Sequence, residues 1–130
     1  MNTTIKAILI IVLLLAIIAG LAGYTLNLLY TSAGKLENQI NLIEEHIKEE
    51  QWAKAKQNLS LILTEWENIS RQWAILIDHT EIDNIEEALL KVQGYIETNN
   101  ASLSLTELNV LKGYIKHRPE KESLTFKNFF

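Results

Sequence analysis

Two patterns of apolar residues divide the chain. The first is a continuous run. From Ala7 to Gly34 no residue is charged, and Ala7 to Ala22 is Ile, Leu, Val and Ala, broken by Gly20 alone. Carried on through Leu29, the run exceeds the ~20 residues that cross a bilayer core about 30 Å thick. A helix is the one single-segment structure that satisfies its own backbone there. The second pattern is periodic. Leu36, Ile40, Ile43 and Ile47 are spaced by four, three and four. Trp52, Ala55, Leu59, Ile62, Trp66, Ile69, Trp73 and Leu76 continue the three–four alternation, as do Ile82, Ile85, Leu89, Val92 and Ile96. A shorter set is Leu105, Leu108, Leu111 and Ile115. Spacing of this kind predicts amphipathic helices that bury one face against partners. No stretch alternates with period two between turn residues, so strands are not expected.

The breaks between stripes are less marked. Glu49-Glu50-Gln51 holds neither Gly nor Pro, and a turn there follows from the shift of phase alone. Asp78-His79-Thr80 precedes Glu81 and Asp83, and Thr80 with Asp83 resembles a capping pair. Thr98 to Ser104 reads as a loop, with Ser104 or Thr106 capping the last helix. Pro119, which lacks an N–H and clashes with the preceding turn, is expected to end it. Short connections make neighbouring helices antiparallel. The expected fold is all-α: an N-terminal transmembrane helix followed by a helical-hairpin bundle of about four helices. The divisions are 1–30 as anchor, 31–118 as helical domain and 119–130 as tail, the first bundle helix being a candidate continuation of the anchor.

Composition then narrows the function. The 130 residues include no Cys, which excludes disulfides, thiolate metal sites, a Cys nucleophile and a lipid-modified Cys. Lys6 is the only basic residue before position 31, and every acidic residue lies beyond it, leaving positions 31–130 with a net charge of −5. An acidic domain does not suit nucleic acid, which is not expected as a partner. A short positive N-terminal tail favours a cytoplasmic N-terminus and an extracytoplasmic C-terminal domain, although Lys35 and Lys48 weaken that bias. The competing reading is a cleaved signal peptide, for which Gly20-Leu21-Ala22 and Thr31-Ser32-Ala33 supply small residues. The run is longer than a usual signal core, which favours an uncleaved anchor in the cell membrane.

Candidate chemistry is sparse. Trp52, Trp66 and Trp73 lie on one stripe. Core packing explains them most simply, and an aromatic groove for a partner is the functional reading. His46, His79 and His117 contain no pair at helical metal-ligand spacing. The hairpin arrangement brings His79 and His117 toward one end, where a metal or pH-sensitive site is conceivable but a helix-end hydrogen bond is the simpler account. Glu44-Glu45, Glu49-Glu50 and Glu86-Glu87 read as solvated faces. No glycine-rich phosphate loop or nucleophile-elbow serine is present, so neither an enzyme nor a cofactor is expected. Four Asn-x-Ser/Thr sequons, at Asn2, Asn58, Asn68 and Asn100, matter only in a glycosylating pathway. The tail carries Leu124, Phe126, Phe129 and Phe130 and is expected to dock on the bundle, a partner or the lipid surface.

Several of these residues together resemble a family. An apolar anchor is followed by Gln51-Trp52-Ala53-Lys54-Ala55, Trp66, Trp73, and Leu76-Ile77-Asp78-His79 with Glu81-Ile82-Asp83 and Ile85-Glu86. Ile115-Lys116-His117 and Leu124-Thr125-Phe126-Lys127-Asn128-Phe129-Phe130 follow. This arrangement resembles the small bacterial membrane-anchored proteins grouped as domain of unknown function 4363. The resemblance implies a bacterial single-pass protein with a helical extracytoplasmic domain, and it transfers no catalytic residue. The expected function is a non-enzymatic interaction module whose partners are the bilayer and another membrane protein. Its candidate contacts are Trp52, Trp66, Trp73, His79, Phe126 and Phe129. An extracytoplasmic ligand or metal sensor centred on His79 and His117 is the alternative.

Overall fold

The structure is a computed structural model that describes residues 2–129. Side chains at 118–127 and 129 lie outside the described residues. Four helices account for almost all of the described chain: α1 (Thr3–Lys48), α2 (Trp52–Leu76), α3 (His79–Glu97) and α4 (Ala101–Phe129). No strand occurs among the described residues. The all-α expectation therefore holds, and the apolar run and the first bundle helix are one uninterrupted helix.

The helices form a ring in chain order. α1 packs along α2 and α4, and α3 packs along α4, whereas the seam between α2 and α3 is more open. The three–four stripes supply the core. Leu36, Ile40, Ile43 and Ile47 of α1 are buried against Ala55, Leu59, Ile62, Trp66, Ile69 and Trp73 of α2 and the stripes of the other two helices. Burying each such side chain contributes roughly 1.5–3 kcal/mol, which is why the stripes rather than intrinsic propensity set the fold. Trp52, Leu76 and Leu105, at stripe ends, are only half-buried. Burial on α1 begins at Leu29, which is fully enclosed, so the change from exposed to packed helix takes place without any break in the backbone.

Two of the three turns share one geometry. Glu50 (φ 59°) and Asn99 (φ 54°) adopt the left-handed conformation. After α1 the Gln51 N–H bonds the His46 carbonyl at 2.8 Å and the Glu50 N–H bonds Ile47 at 3.0 Å. After α3 the Asn100 and Asn99 N–H groups bond Tyr95 at 2.9 Å and Ile96 at 3.0 Å. These are the paired bonds that satisfy the last carbonyls of a helix, built here without the customary glycine.

Four local expectations need correction. The third turn is capped by Asp78, whose side chain accepts the Thr80 N–H at 3.3 Å, and not by Thr80. The Asp carboxylate reaches the second N–H from the cap position, which leaves Thr80 inside the helix. The loop expected over 98–104 is shorter: α4 starts at Ala101, and Asn100 accepts the Leu103 N–H at 3.0 Å. Ser104 is then fully buried in the core and Thr106 bonds back to the Ser102 carbonyl, so neither caps the helix. Finally, α4 runs through Pro119 to Phe129. A proline costs its helix one hydrogen bond and a steric adjustment, which bends a helix more readily than it ends one.

Candidate functional site

Three places in the fold merit a chemical reading: the junction where α1 enters the bundle, the charged contact that ties α1 to α4, and the open seam between α2 and α3. At the junction, Ser32 Oγ donates to the Leu28 carbonyl at 2.7 Å and accepts the Trp73 Nε1–H at 2.8 Å. Trp73 is fully buried, and among the described residues Ser32 is one of two buried polar residues, with Ser104. A buried indole N–H requires a partner, and Ser32 meets that need from the facing helix. Trp66 stands edge-on to Trp73, with centroids 5.7 Å apart and ring planes at 84°, the orientation in which a positive ring edge meets a negative face. The Trp66 Nε1 is itself buried with no hydrogen-bond partner.

Charge ties α1 to its two neighbours. Lys112 Nζ lies 3.0 Å from Glu44 Oε2 in a contact that solvent reaches only partly. Lys35 lies 3.6 Å from Glu65 on the α1–α2 side. On the outer surface, the Lys91 ammonium is held above the usual lysine range, first by its hydrogen bond to Glu87 and then by the charges of Glu87 and Glu107.

The seam between α2 and α3 opens into two shallow grooves. One, of about 290 Å³, is lined by Leu63, Trp66, Leu89 and Leu90 with Glu67 and Glu86 at its rim. The other, of about 270 Å³, shares Leu63 and continues toward Leu59 and Ile96. Both are too open to enclose a small molecule.

The candidate residues fall into different settings. Trp66 and Trp73 are core residues, Trp66 also flooring the larger groove. Trp52 begins α2 and is half-buried. His79 is exposed as the first residue of α3, and His46 Nδ1 lies 3.2 Å from Gln51 Oε1 at the opposite turn. The Phe126 and Phe129 side chains lie outside the described residues. Among the described residues no three His, Cys, Asp or Glu side chains gather as a metal donor set. The sensor reading at His79 and His117 thus gains no geometric support. Ser32 is the residue that sequence reasoning missed. A lone serine beside Ala33 looks like a cleavage-site residue, and only the register of α1 on α2 reveals what it bonds.

The class defined so far is a four-helix bundle whose first helix projects beyond it. Positions 3–21 of that helix are all exposed, and the helix is long and apolar enough to cross a membrane. The chain belongs to the family described as domain of unknown function (DUF4363), whose profile matches residues 23–129. That match begins within the apolar run, so part of the run is family sequence in its own right. No curated protein and no solved structure matches the chain.

Proposed function

We propose that the chain is a single-pass membrane protein of the bacterial cell membrane whose helical bundle is an extracytoplasmic, non-enzymatic interaction module. The observation that carries the reading is the projecting part of α1. From Ile5 to Leu21 its Ile, Leu and Val side chains are about half exposed with nothing packed on them. A soluble chain would leave that surface in water at a cost of roughly 25 cal/mol for each Å², and a bilayer covers it. Burial of Leu29, Ser32 and Ala33 supports an uncleaved anchor. Cleavage after Ala33 would strip all three from the core, and cleavage after Ala22 is the one small-residue site that spares it. The orientation rests on Lys6 and the positive-inside rule.

The test has two arms. Alkaline carbonate extraction of membranes from cells producing the full chain should leave it in the pellet, and release into the supernatant contradicts anchoring. Alkaline phosphatase fused after Phe130 should be active and a fluorescent protein dark, and the opposite pair reverses the orientation. For the interaction role, cross-linking in intact membranes should give a defined higher-mass adduct, and a chain that stays monomeric at every cross-linker concentration contradicts it.

A further inference from the structure

We propose that the α2–α3 turn of the bundle, led by Ile75, rests in the zwitterionic headgroup layer of the same bilayer that α1 crosses. The proposal builds on the membrane-anchor reading and adds a second contact with lipid. Among the described residues Ile75 is the most exposed large apolar side chain of the bundle, at 85%. An isoleucine at the end of a stripe-bearing helix has every opportunity to be polar, and here it is followed by Leu76 and Ile77, both only half-buried.

The register of α1 on α2 sets the height of this turn. Ser32 faces Trp73 at 2.8 Å and Lys35 faces Glu65 at 3.6 Å, which makes the two helices antiparallel. Ile75 is 23 residues past Trp52 and Thr25 is 23 residues before Lys48, so across the short turn joining α1 to α2 the Ile75 backbone lies at about the level of Thr25. Twenty residues counted from Ala7 end at Leu26 and span about 30 Å, the thickness of the hydrocarbon core. Thr25 is then within about 2 Å of that edge, so Ile75 sits where the hydrocarbon meets a headgroup layer roughly 5–8 Å deep on each face. Tyr24 and Tyr30 are both exposed and bracket the boundary, in keeping with the enrichment of tyrosine at membrane interfaces. Asp78, Glu81 and Asp83 follow at the start of α3, and their charge disfavours an anionic surface, which leaves a zwitterionic one as the occupant. Two supports, α1 through the core and the turn on the surface, fix the tilt of the bundle where a single helix leaves it free.

The chain has no cysteine, so single labels can be placed cleanly. Leu14→Cys, Leu61→Cys and Ile75→Cys variants of the full chain, each carrying a nitroxide, are reconstituted in phosphatidylcholine vesicles. Collision with oxygen, which concentrates in lipid, is compared with collision with a water-soluble nickel chelate. All three side chains are exposed, so labelling disturbs no packing. The expected result is a lipid-like label at 14, a water-like label at 61, and a label at 75 whose oxygen-to-nickel ratio exceeds that at 61 severalfold. A water-like label at 75 with a lipid-like label at 14 overturns the headgroup contact and leaves the anchor standing. Protection of position 75 from both reagents also overturns it, because the turn is then covered by protein. A water-like label at 14 overturns the anchor and the contact together.

Discussion

Replacing Ser32 with Ala removes a single oxygen, yet it takes away the acceptor for the N–H of Trp73, a side chain that is fully buried. A buried donor left unpaired costs about 1–3 kcal/mol. Two effects oppose that loss. Ala is the better helix former, by up to about 0.5 kcal/mol, and the back-bond from Ser32 to the Leu28 carbonyl, which slightly strains α1, disappears. The balance is a destabilisation of about 1–2 kcal/mol. For a bundle of this size that lowers the melting temperature by roughly 5–10 °C. Thermal unfolding of the full chain in mild detergent, followed by circular dichroism, measures it. Ser60→Ala, at an exposed position of α2, is the control and should be neutral or slightly stabilising. Trp73→Phe removes the donor while leaving Ser32 bonded to Leu28, so the double variant isolates the pair. A coupling of about 1 kcal/mol between the two changes is expected for a direct hydrogen bond. Strict additivity, or a Ser32→Ala variant as stable as Ser60→Ala, would refute the reasoning.

Three further outcomes follow from the helices and their contacts. Lys112→Ala leaves Glu44 partly enclosed and unpaired, which should cost about 1–3 kcal/mol in urea unfolding; Arg71→Ala, which breaks an exposed pair with Glu67, should cost well under 1 kcal/mol. Gly94→Ala should stabilise α3 by about 0.5–1 kcal/mol, because the added Cβ meets nothing within 4 Å; loss of stability in the same assay would show that α3 does not have this conformation. Glu50→Gly should raise the melting temperature, since a non-glycine residue in the left-handed region costs about 1–2 kcal/mol and glycine's extra freedom in the unfolded chain offsets only part of that gain.

The stripes were legible in the sequence because burial is what they encode. Every member of the first and third stripes is buried, and in the second and fourth only end residues such as Trp52 and Leu105 are partly open. The DUF4363 resemblance, carried by the same tryptophans and by the Leu76–Asp83 segment, agrees with the family match over residues 23–129. What the sequence concealed is local or long-range. Glu50 makes a turn that glycine usually makes, so only the shift of phase marks where α1 ends, whereas the polar run from Thr98 does mark the end of α3. Asp78 and Thr80 are both able caps, and the choice between them depends on where the first helical N–H falls. Pro119 reads as a stop because its cost is local, whereas the surrounding helix carries one missing bond. Ser32 and Trp73 are 41 positions apart, and no periodicity links a serine on one helix to an indole on another.

The central claim is that one uninterrupted helix both crosses the bilayer and builds the bundle core. Nitroxides placed by Leu15→Cys and Asn38→Cys, both at exposed positions of α1, span the junction between the apolar run and the packed region. Twenty-three residues of straight helix separate them by about 35 Å. Pulsed electron–electron resonance on the doubly labelled chain in phosphatidylcholine vesicles should give one narrow distance distribution near that value. A broad distribution, or one centred well below it, would mean that the chain bends or unwinds between anchor and bundle and would contradict the account.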